Sequence, residues 1–295
     1  MEDRCNLCPR KCNAKRSSNK GYCKAPSDIM VSRAALHFWE EPCISGEEGS
    51  GTVFFSGCNM GCVFCQNTDI AHEVFGKRIS VERLSQIFLE LQEKNANNIN
   101  LVTPTHYSEK IINAVRLARE NGLKIPIVYN TSGYENEDII SNLEDTIDIF
   151  MPDFKYWLPE TAKKYSNAPD YPEIAKKAID KMVSMRPELI YDKRGILQRG
   201  VIIRILLLPG FVYEAKKIAE YVYLKYGDKV IISLMSQYTP NGKLENYPEI
   251  NRRVRKKEYE SLVDFVLELG AENVYIQEGS SADESFIPPF NLDGV

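Results

Sequence analysis

From residue 52 onward, short β-branched and aromatic runs alternate with longer stretches in which apolar residues recur every three to four positions. The short runs predict strands over 52–56, 99–102, 125–129, 147–151, 201–207, 230–235 and 273–277. Between them, 80–94 opens on Ser80, an N-cap residue type, and puts Leu84, Ile87, Phe88 and Leu91 on one helical face. The stretch 108–121 does the same with Ile111, Ile112, Val115 and Ala118, and meets Gly122 where a helix would stop. Further helices are predicted over 137–143, 171–185, 213–226 and 254–269. Strand–helix alternation sustained over roughly 220 residues calls for a parallel sheet wrapped by helices. Six or seven units are visible, short of the eight that close a barrel. The predicted fold is therefore α/β, a partial (β/α)6-like TIM barrel. No Gly-rich phosphate loop follows the first strand, which argues against an open doubly wound nucleotide fold.

Chemistry in parallel barrels sits on loops after the strands. Here those loops are 58–67, Thr103-Pro104-Thr105-His106, Asn130-Thr131-Ser132-Gly133-Tyr134, Asp153-Phe154-Lys155-Tyr156, Leu208-Pro209-Gly210 and Ser236-Gln237-Tyr238. The rim residues expected to face substrate are His106, Asp153, Lys155, Gln237 and Tyr238. Asp153 and Lys155, two positions apart, share one face if the strand continues, and an ion pair closing the barrel mouth is the competing reading.

The loop after the first strand is Gly57-Cys58-Asn59-Met60-Gly61-Cys62-Val63-Phe64-Cys65-Gln66-Asn67, a C-x3-C-x2-C spacing. Three thiolates on one loop can hold three corners of a cubane iron–sulfur cluster. Electron-transfer clusters take four cysteines, so the missing ligand points to an iron kept for a small molecule. A zinc site completed by Cys43 or a distant histidine is the alternative, but zinc motifs usually pair C-x2-C with a second such pair. Disulfides would need a secreted chain, and residues 1–5 show no apolar leader core.

The 295 residues carry a net charge of −4, giving no global attraction to nucleic acid or acidic membranes. The most apolar stretch, 201–212, contains Arg204 and Pro209 and is too short to span a bilayer. A cytoplasmic protein with reduced cysteines is expected. Residues 1–24 depart from the rest: seven Lys and Arg against Glu2 and Asp3 give +5, leaving −9 for the remainder.

The cysteine loop, with an aromatic just before its last cysteine, resembles the signature of the radical S-adenosylmethionine (SAM) superfamily. Cys5-Asn6-Leu7-Cys8-Pro9-Arg10-Lys11-Cys12, Glu40-Glu41-Pro42 with Ser45-Gly46, 98–106, 129–134 and 153–156 resemble homologues of pyruvate formate-lyase activating enzyme carrying an additional N-terminal cysteine motif. The resemblance implies a 4Fe–4S cluster on Cys58, Cys62 and Cys65 whose open iron binds the amino and carboxylate groups of SAM. It implies reductive cleavage of SAM to a 5′-deoxyadenosyl radical that abstracts hydrogen, an oxidoreductase reaction, in this branch on a glycine of a glycyl-radical enzyme. An electron donor such as flavodoxin or ferredoxin is implied with it. Residues expected toward SAM are Phe64 as an adenine wall, Asn67, Thr103 near the place of the Gly-Gly-Glu motif that this chain lacks, and the pair Asn130 and Ser132. Arg204 is expected on the SAM carboxylate; inside an apolar strand it needs some charge partner in any case. Action on another peptide, an RNA base or a metabolite, and a non-catalytic electron-transfer or binding protein, are the alternative functions.

Cys5, Cys8, Cys12 and Cys23 supply four thiolates for a second site, where a structural zinc and a second 4Fe–4S cluster both remain open, the spacing favouring the cluster. The interleaved cations would offset thiolate charge, or form a patch for an acidic electron donor; with Tyr22 the one interleaved aromatic, nucleic acid is disfavoured. The expected organisation is a metal-binding module and lead-in over 1–50, a barrel over 51–280 and a Pro-rich tail over 281–295. Cys43 is expected as a small buried hydrophobe, and His37 and His72 as structural histidines.

Overall fold

The computed structural model of the chain describes residues 4–18, 21–240, 244–277 and 288–295. Glu2, Asp3, Lys20, Phe286 and Ile287 lie outside the described residues. A mixed sheet organises the molecule. Its strands are β1 (Ile29–His37), β2 (Ser50–Phe55), β3 (Lys77–Ile79), β4 (Ile99–Val102), β5 (Ile127–Thr131), β6 (Ile149–Pro152), β7 (Ile190–Tyr191), β8 (Leu197–Leu206), β9 (Ile231–Met235) and β10 (Val274–Ile276). The order β2-β4-β5-β6-β8-β9-β10 is parallel throughout and never reverses, which is barrel-like winding; a doubly wound sheet would turn back on itself. The sheet does not close. Antiparallel β1 and β3 extend it beyond β2, and β7 pairs antiparallel with β8.

The helices are α1 (Pro42–Ser45), α2 (Thr68–Ala71), α3 (Val81–Glu93), α4 (Ser108–Glu120), α5 (Glu137–Ser141), α6 (Pro159–Ser166), α7 (Tyr171–Met185), α8 (Val212–Tyr226) and α9 (Lys256–Glu268). Every strand and helix anticipated from periodicity has its counterpart, and Ser80 caps α3 by accepting the Arg83 N–H at 3.2 Å. Among the described residues no helix is long and apolar enough to cross a membrane. α1, α2, α6 and the strands β1, β3 and β7 add to the expected set; Ile29–His37 of the lead-in pairs with β2 as part of the main sheet.

Side chains along each strand alternate between two apolar clusters. On β8, Val201, Ile203 and Ile205 face the helical layer, whereas Ile202 points inside with Val128, Ile149, Met151 and Ile231. Cys43 and Ile44 of α1 join this inner group, so α1 plugs the base of the half-barrel. One turn higher the interior becomes polar: Asn100, Asn130, Arg204 and Ser233 point inward from β4, β5, β8 and β9.

The Leu208-Pro209-Gly210 turn is tied to α9 through Glu258, which accepts the Gly210 N–H at 2.9 Å and pairs with Arg252 at 2.7 Å. Arg252 holds the Glu258 carboxyl at about 2, below its ordinary value. The stabilisation is complete above the unfolded value near 4.3 and disappears as pH falls toward 2. Acid titration of Tm is expected to flatten across that window in Glu258→Gln, with a loss of about 1 kcal/mol at neutral pH after solvent screening.

Candidate active site

The cysteine loop follows β2 and is anchored by neighbouring loops. The Asn59 side chain donates to the Tyr134 carbonyl at 2.8 Å, the Val63 N–H to the Tyr165 carbonyl at 2.9 Å, and the Gln66 side chain to the Gln237 carbonyl at 3.0 Å. A Cβ at Gly57 (φ +93°) would lie 2.7 Å from the Cys23 carbonyl, so glycine lets the N-terminal segment pass against the loop. Burial, then the neighbouring Cys62, pushes the Cys58 thiol up to about 11. Burial, then Cys58 and Cys62, pushes Cys65 up to about 12. These mutual influences mark three converging thiols, which no disulfide engages. Among the described residues no three His, Cys, Asp or Glu side chains close on a single-ion geometry. Cubane ligands, each bound to a different iron, stand wider apart than ligands sharing one zinc. Three converging thiols, of which burial makes Cys58 and Cys65 costly to ionise until a metal stabilises the thiolate, fit a cluster's donor set.

Cys62, Cys65, Phe64 and Asn67 line a cavity of about 240 Å³ at the C-terminal mouth of the strands. Asn130, Asp153, Lys155, Arg204, Gln237 and Tyr238 complete much of its wall. Phe64 is both wall and core: it lies edge-on to Tyr156, Tyr165 and Tyr238. A second cavity of about 410 Å³ adjoins on the open flank and shares Trp39, Glu40, Arg204, Met235 and Gln237 with the first.

Arg204 is engaged by its own chain. Its Nε donates to Asp153 at 2.8 Å, one Nη to Asn130 at 2.7 Å, and the other stands 3.7 Å from Glu40. Lys155 pairs with the other Asp153 oxygen at 2.5 Å. Burial alone would raise the Asp153 carboxyl, but Arg204 and then Lys155 overcome it and hold it below its ordinary value. Burial opposes the charge of Arg204 as well, yet Asp153 and then Glu40 keep it above its usual range. Glu40 is raised by burial, which Arg204 and an Asn100 hydrogen bond of 2.8 Å only partly offset, so Asp153 is the stronger partner of the arginine. Glu41 accepts from Ser233 at 2.7 Å. Thus Arg204 meets carboxylates supplied by the protein itself, and the Asp153–Lys155 ion pair forms at the barrel mouth.

Three expected site residues, His106 toward substrate and Ser132 and Thr103 toward SAM, are not among those lining the cavity. His106 lies in a short 3-10 turn (Thr105–Tyr107) that turns it inward; its Nε2 bonds to the Ser56 carbonyl at 2.8 Å. Burial first, then Arg16, lowers it to about 3, so the ring is neutral and Nε2 donates. Ser132 bonds locally, accepting the Tyr134 N–H at 3.4 Å and the Tyr171 hydroxyl on its carbonyl. Thr103 sits at φ +58°, a strained conformation for a β-branched residue, and its N–H is used by the Asn130 carbonyl at 2.9 Å. Glu40, Trp39 and Met235 line the site without having been singled out as site residues; a doublet of glutamates just before the first barrel strand was the available signal for Glu40.

In the N-terminal segment, burial lifts Cys8 to about 12 and raises Cys23. Cys8 feels Cys23 and Cys5, and Cys23 feels Cys5 and Cys12, so the four thiols are neighbours. Cys43 is remote from both sets, buried in the barrel base.

The chain belongs to the radical SAM superfamily: the model of that family matches residues 52–222, more than half the protein. Membership implies a 4Fe–4S cluster and SAM, and the three converging thiols, two of which line the mouth cavity, fit them. An uncharacterized protein of Methanocaldococcus jannaschii, MJ0674, is 28% identical over 281 residues, 92% of this chain and 76% of that protein. Streptococcus suis SuiB bound to S-adenosylmethionine shares the fold at a TM-score of 0.50 and 12% identity, over 75% of this chain and 48% of SuiB. The structure of SuiB bound to its precursor peptide SuiA matches at a TM-score of 0.49 and 12% identity, over 75% and 46%. The chain thus spans about half the length of these solved proteins. It is a member of that superfamily built on an open partial barrel.

Proposed function

We propose that the enzyme abstracts the α-hydrogen of a glycine in a protein substrate, leaving a glycyl radical. Cys58, Cys62 and Cys65 would hold a 4Fe–4S cluster, which with SAM would supply the one-electron chemistry for hydrogen-atom abstraction, leaving methionine and 5′-deoxyadenosine. The chain's own residues bind, orient and keep water out. Phe64 and Tyr238 give the mouth cavity apolar walls, and the Asp153–Arg204–Lys155 network holds its polar side rigid. The observation that carries a polypeptide substrate is the flank cavity: it runs into the mouth cavity and is flanked by exposed Phe38 and Trp39, 49% and 62% accessible. An extended chain can lie along such an opening and present one residue inward. Cys5, Cys8, Cys12 and Cys23 are assigned to a second 4Fe–4S cluster, with a flavodoxin or ferredoxin as the electron source. In support, the four thiols are neighbours, and thiolates spread over a cubane suit a group that does not close on one ion.

Anaerobic reconstitution with iron and sulfide, followed by dithionite and SAM, is expected to release 5′-deoxyadenosine. With a substrate protein, deuterium from glycine Cα is expected in that product, together with a glycyl EPR doublet. Full cluster loading without 5′-deoxyadenosine would reject the enzyme reading in favour of electron transfer. Turnover on an RNA, a metabolite or another peptide position without a glycyl signal would reject the glycine assignment alone.

A further inference from the structure

Arg10 lies between Cys8 and Cys12, yet its guanidinium is spent on the radical SAM loop. Nε donates to the Asn59 carbonyl at 2.7 Å, and one Nη to the carbonyls of Met60 at 2.9 Å and Ser166 at 2.8 Å. The other Nη reaches the Asn167 carbonyl at the end of α6. The guanidinium stacks on Tyr22 with its carbon 3.8 Å from the ring centre, and Tyr134 stands at 5.2 Å on its other contact. All four of these acceptors are neutral backbone carbonyls, so the full positive charge is left to act on its surroundings.

Two of those carbonyls, Asn59 and Met60, belong to peptide groups whose N–H ends face Cys58. The Asn59–Met60 peptide accepts from Arg10 through oxygen and donates its N–H to Cys58 Sγ at 3.4 Å. The next peptide repeats the pattern, with the Met60 carbonyl on Arg10 and the Gly61 N–H toward Cys58. Ser166 links Arg10 to the second cysteine by position: its carbonyl takes Arg10, and its hydroxyl, which is not part of that amide, donates to Cys62 Sγ at 3.0 Å. A cation on the oxygen end of an amide polarises it and strengthens the hydrogen bond at its N–H end. Hydrogen bonds to cysteine sulfurs and nearby positive charge both favour the reduced cluster, which carries one more negative charge.

We propose that Arg10 is a positioning residue for the radical SAM cluster, setting its reduction potential by polarising the peptide groups that donate to Cys58 and by its own fixed charge. The proposal rests on the cluster assignment to Cys58, Cys62 and Cys65. It also gives the N-terminal cysteine segment a part in the reaction through geometry, whatever metal its thiols hold.

The test is an EPR-monitored redox titration of the reconstituted full-length protein and its Arg10→Met, Arg10→Lys and Tyr22→Leu variants, with iron and sulfide counted in each. Arg10→Met is expected to make reduction of the cluster about tenfold less favourable, equivalent to 59 mV for one electron. Arg10→Lys keeps the charge and loses the fork, so an intermediate potential is expected, and Tyr22→Leu shifts it slightly in the same direction. If Arg10→Met loses its iron, Arg10→Lys and Tyr22→Leu still report the direction. Wild-type potentials in the cluster-loaded variants would overturn the proposal. A wild-type protein that loads no SAM-responsive cluster would instead overturn the assignment beneath it.

Discussion

Cys62→Ala abolishes release of 5′-deoxyadenosine from SAM, whereas Cys43→Ala leaves it at the wild-type level. Cys62 faces the mouth cavity, accepts the Ser166 hydroxyl and shares its surroundings with Cys58 and Cys65. Removing it leaves two thiols, fewer than a cubane with one open iron requires. Cys43 has a different environment. It is 3% exposed, packs with Ile44, Ile149 and Ile202 in the base of the barrel, and is pushed up to about 12 by burial. Its loss deletes one buried sulfur and costs about 1 kcal/mol of stability, far short of unfolding a domain of this size. Product analysis by chromatography after anaerobic incubation, with iron content measured alongside, checks both expectations. Loss of cleavage in Cys43→Ala with normal iron content would move the active-site boundary down into the barrel.

Asp153→Ala is expected to be the most destabilising substitution in the interior. The carboxylate is shared by Arg204 and Lys155, all three side chains being no more than 15% exposed. Removing the shared anion leaves two buried cations with the looser Glu40 and the more distant Glu41 as the remaining carboxylates, which places the loss at about 3–5 kcal/mol. Melting should then occur roughly 6–20 °C lower, by the usual relation for larger domains. Arg204→Met should cost less, because Lys155 still satisfies Asp153. The pH dependence carries the same sign as any depressed carboxyl: the stabilisation is whole above the unfolded value near 3.9 and is lost as pH falls through the lower folded value. Calorimetry of the two variants beside wild type, between pH 7 and pH 3, measures both effects. An Asp153→Ala protein melting within a degree or two of wild type would show that the triad is not a structural unit.

Periodicity was enough for the seven parallel strands and their principal helices because the helices bury one face and most of the strands both, and burial leaves a regular trace along the chain. The cysteine spacing was equally open to reading, since thiolates on one loop have few other uses. What escaped was long-range. The floor helix α1 has only four residues, too few to show a period, and its neighbouring Glu41 meets Ser233 almost two hundred positions later. His106 looked like a rim residue because it follows a strand; one turn of 3-10 helix rotated it against the Ser56 carbonyl. Arg204 did find the charge partner that its apolar strand demanded, but that partner came from Asp153 of its own chain. Arg10 was invisible for a simpler reason. Its targets are backbone carbonyls, which every residue has, so no side-chain pattern marks them.

The plug formed by α1 also bears on how the molecule can be divided. The segment 52–222 common to the superfamily ends before β9 and β10 and begins after the residues that fill the bottom of the barrel. Excised alone, it would be a bowl with no base and a broken side, its inner Val128, Ile149 and Ile202 open to water. Truncation studies of this enzyme therefore need to retain everything from β1 through β10 before the behaviour of any fragment can be attributed to its chemistry.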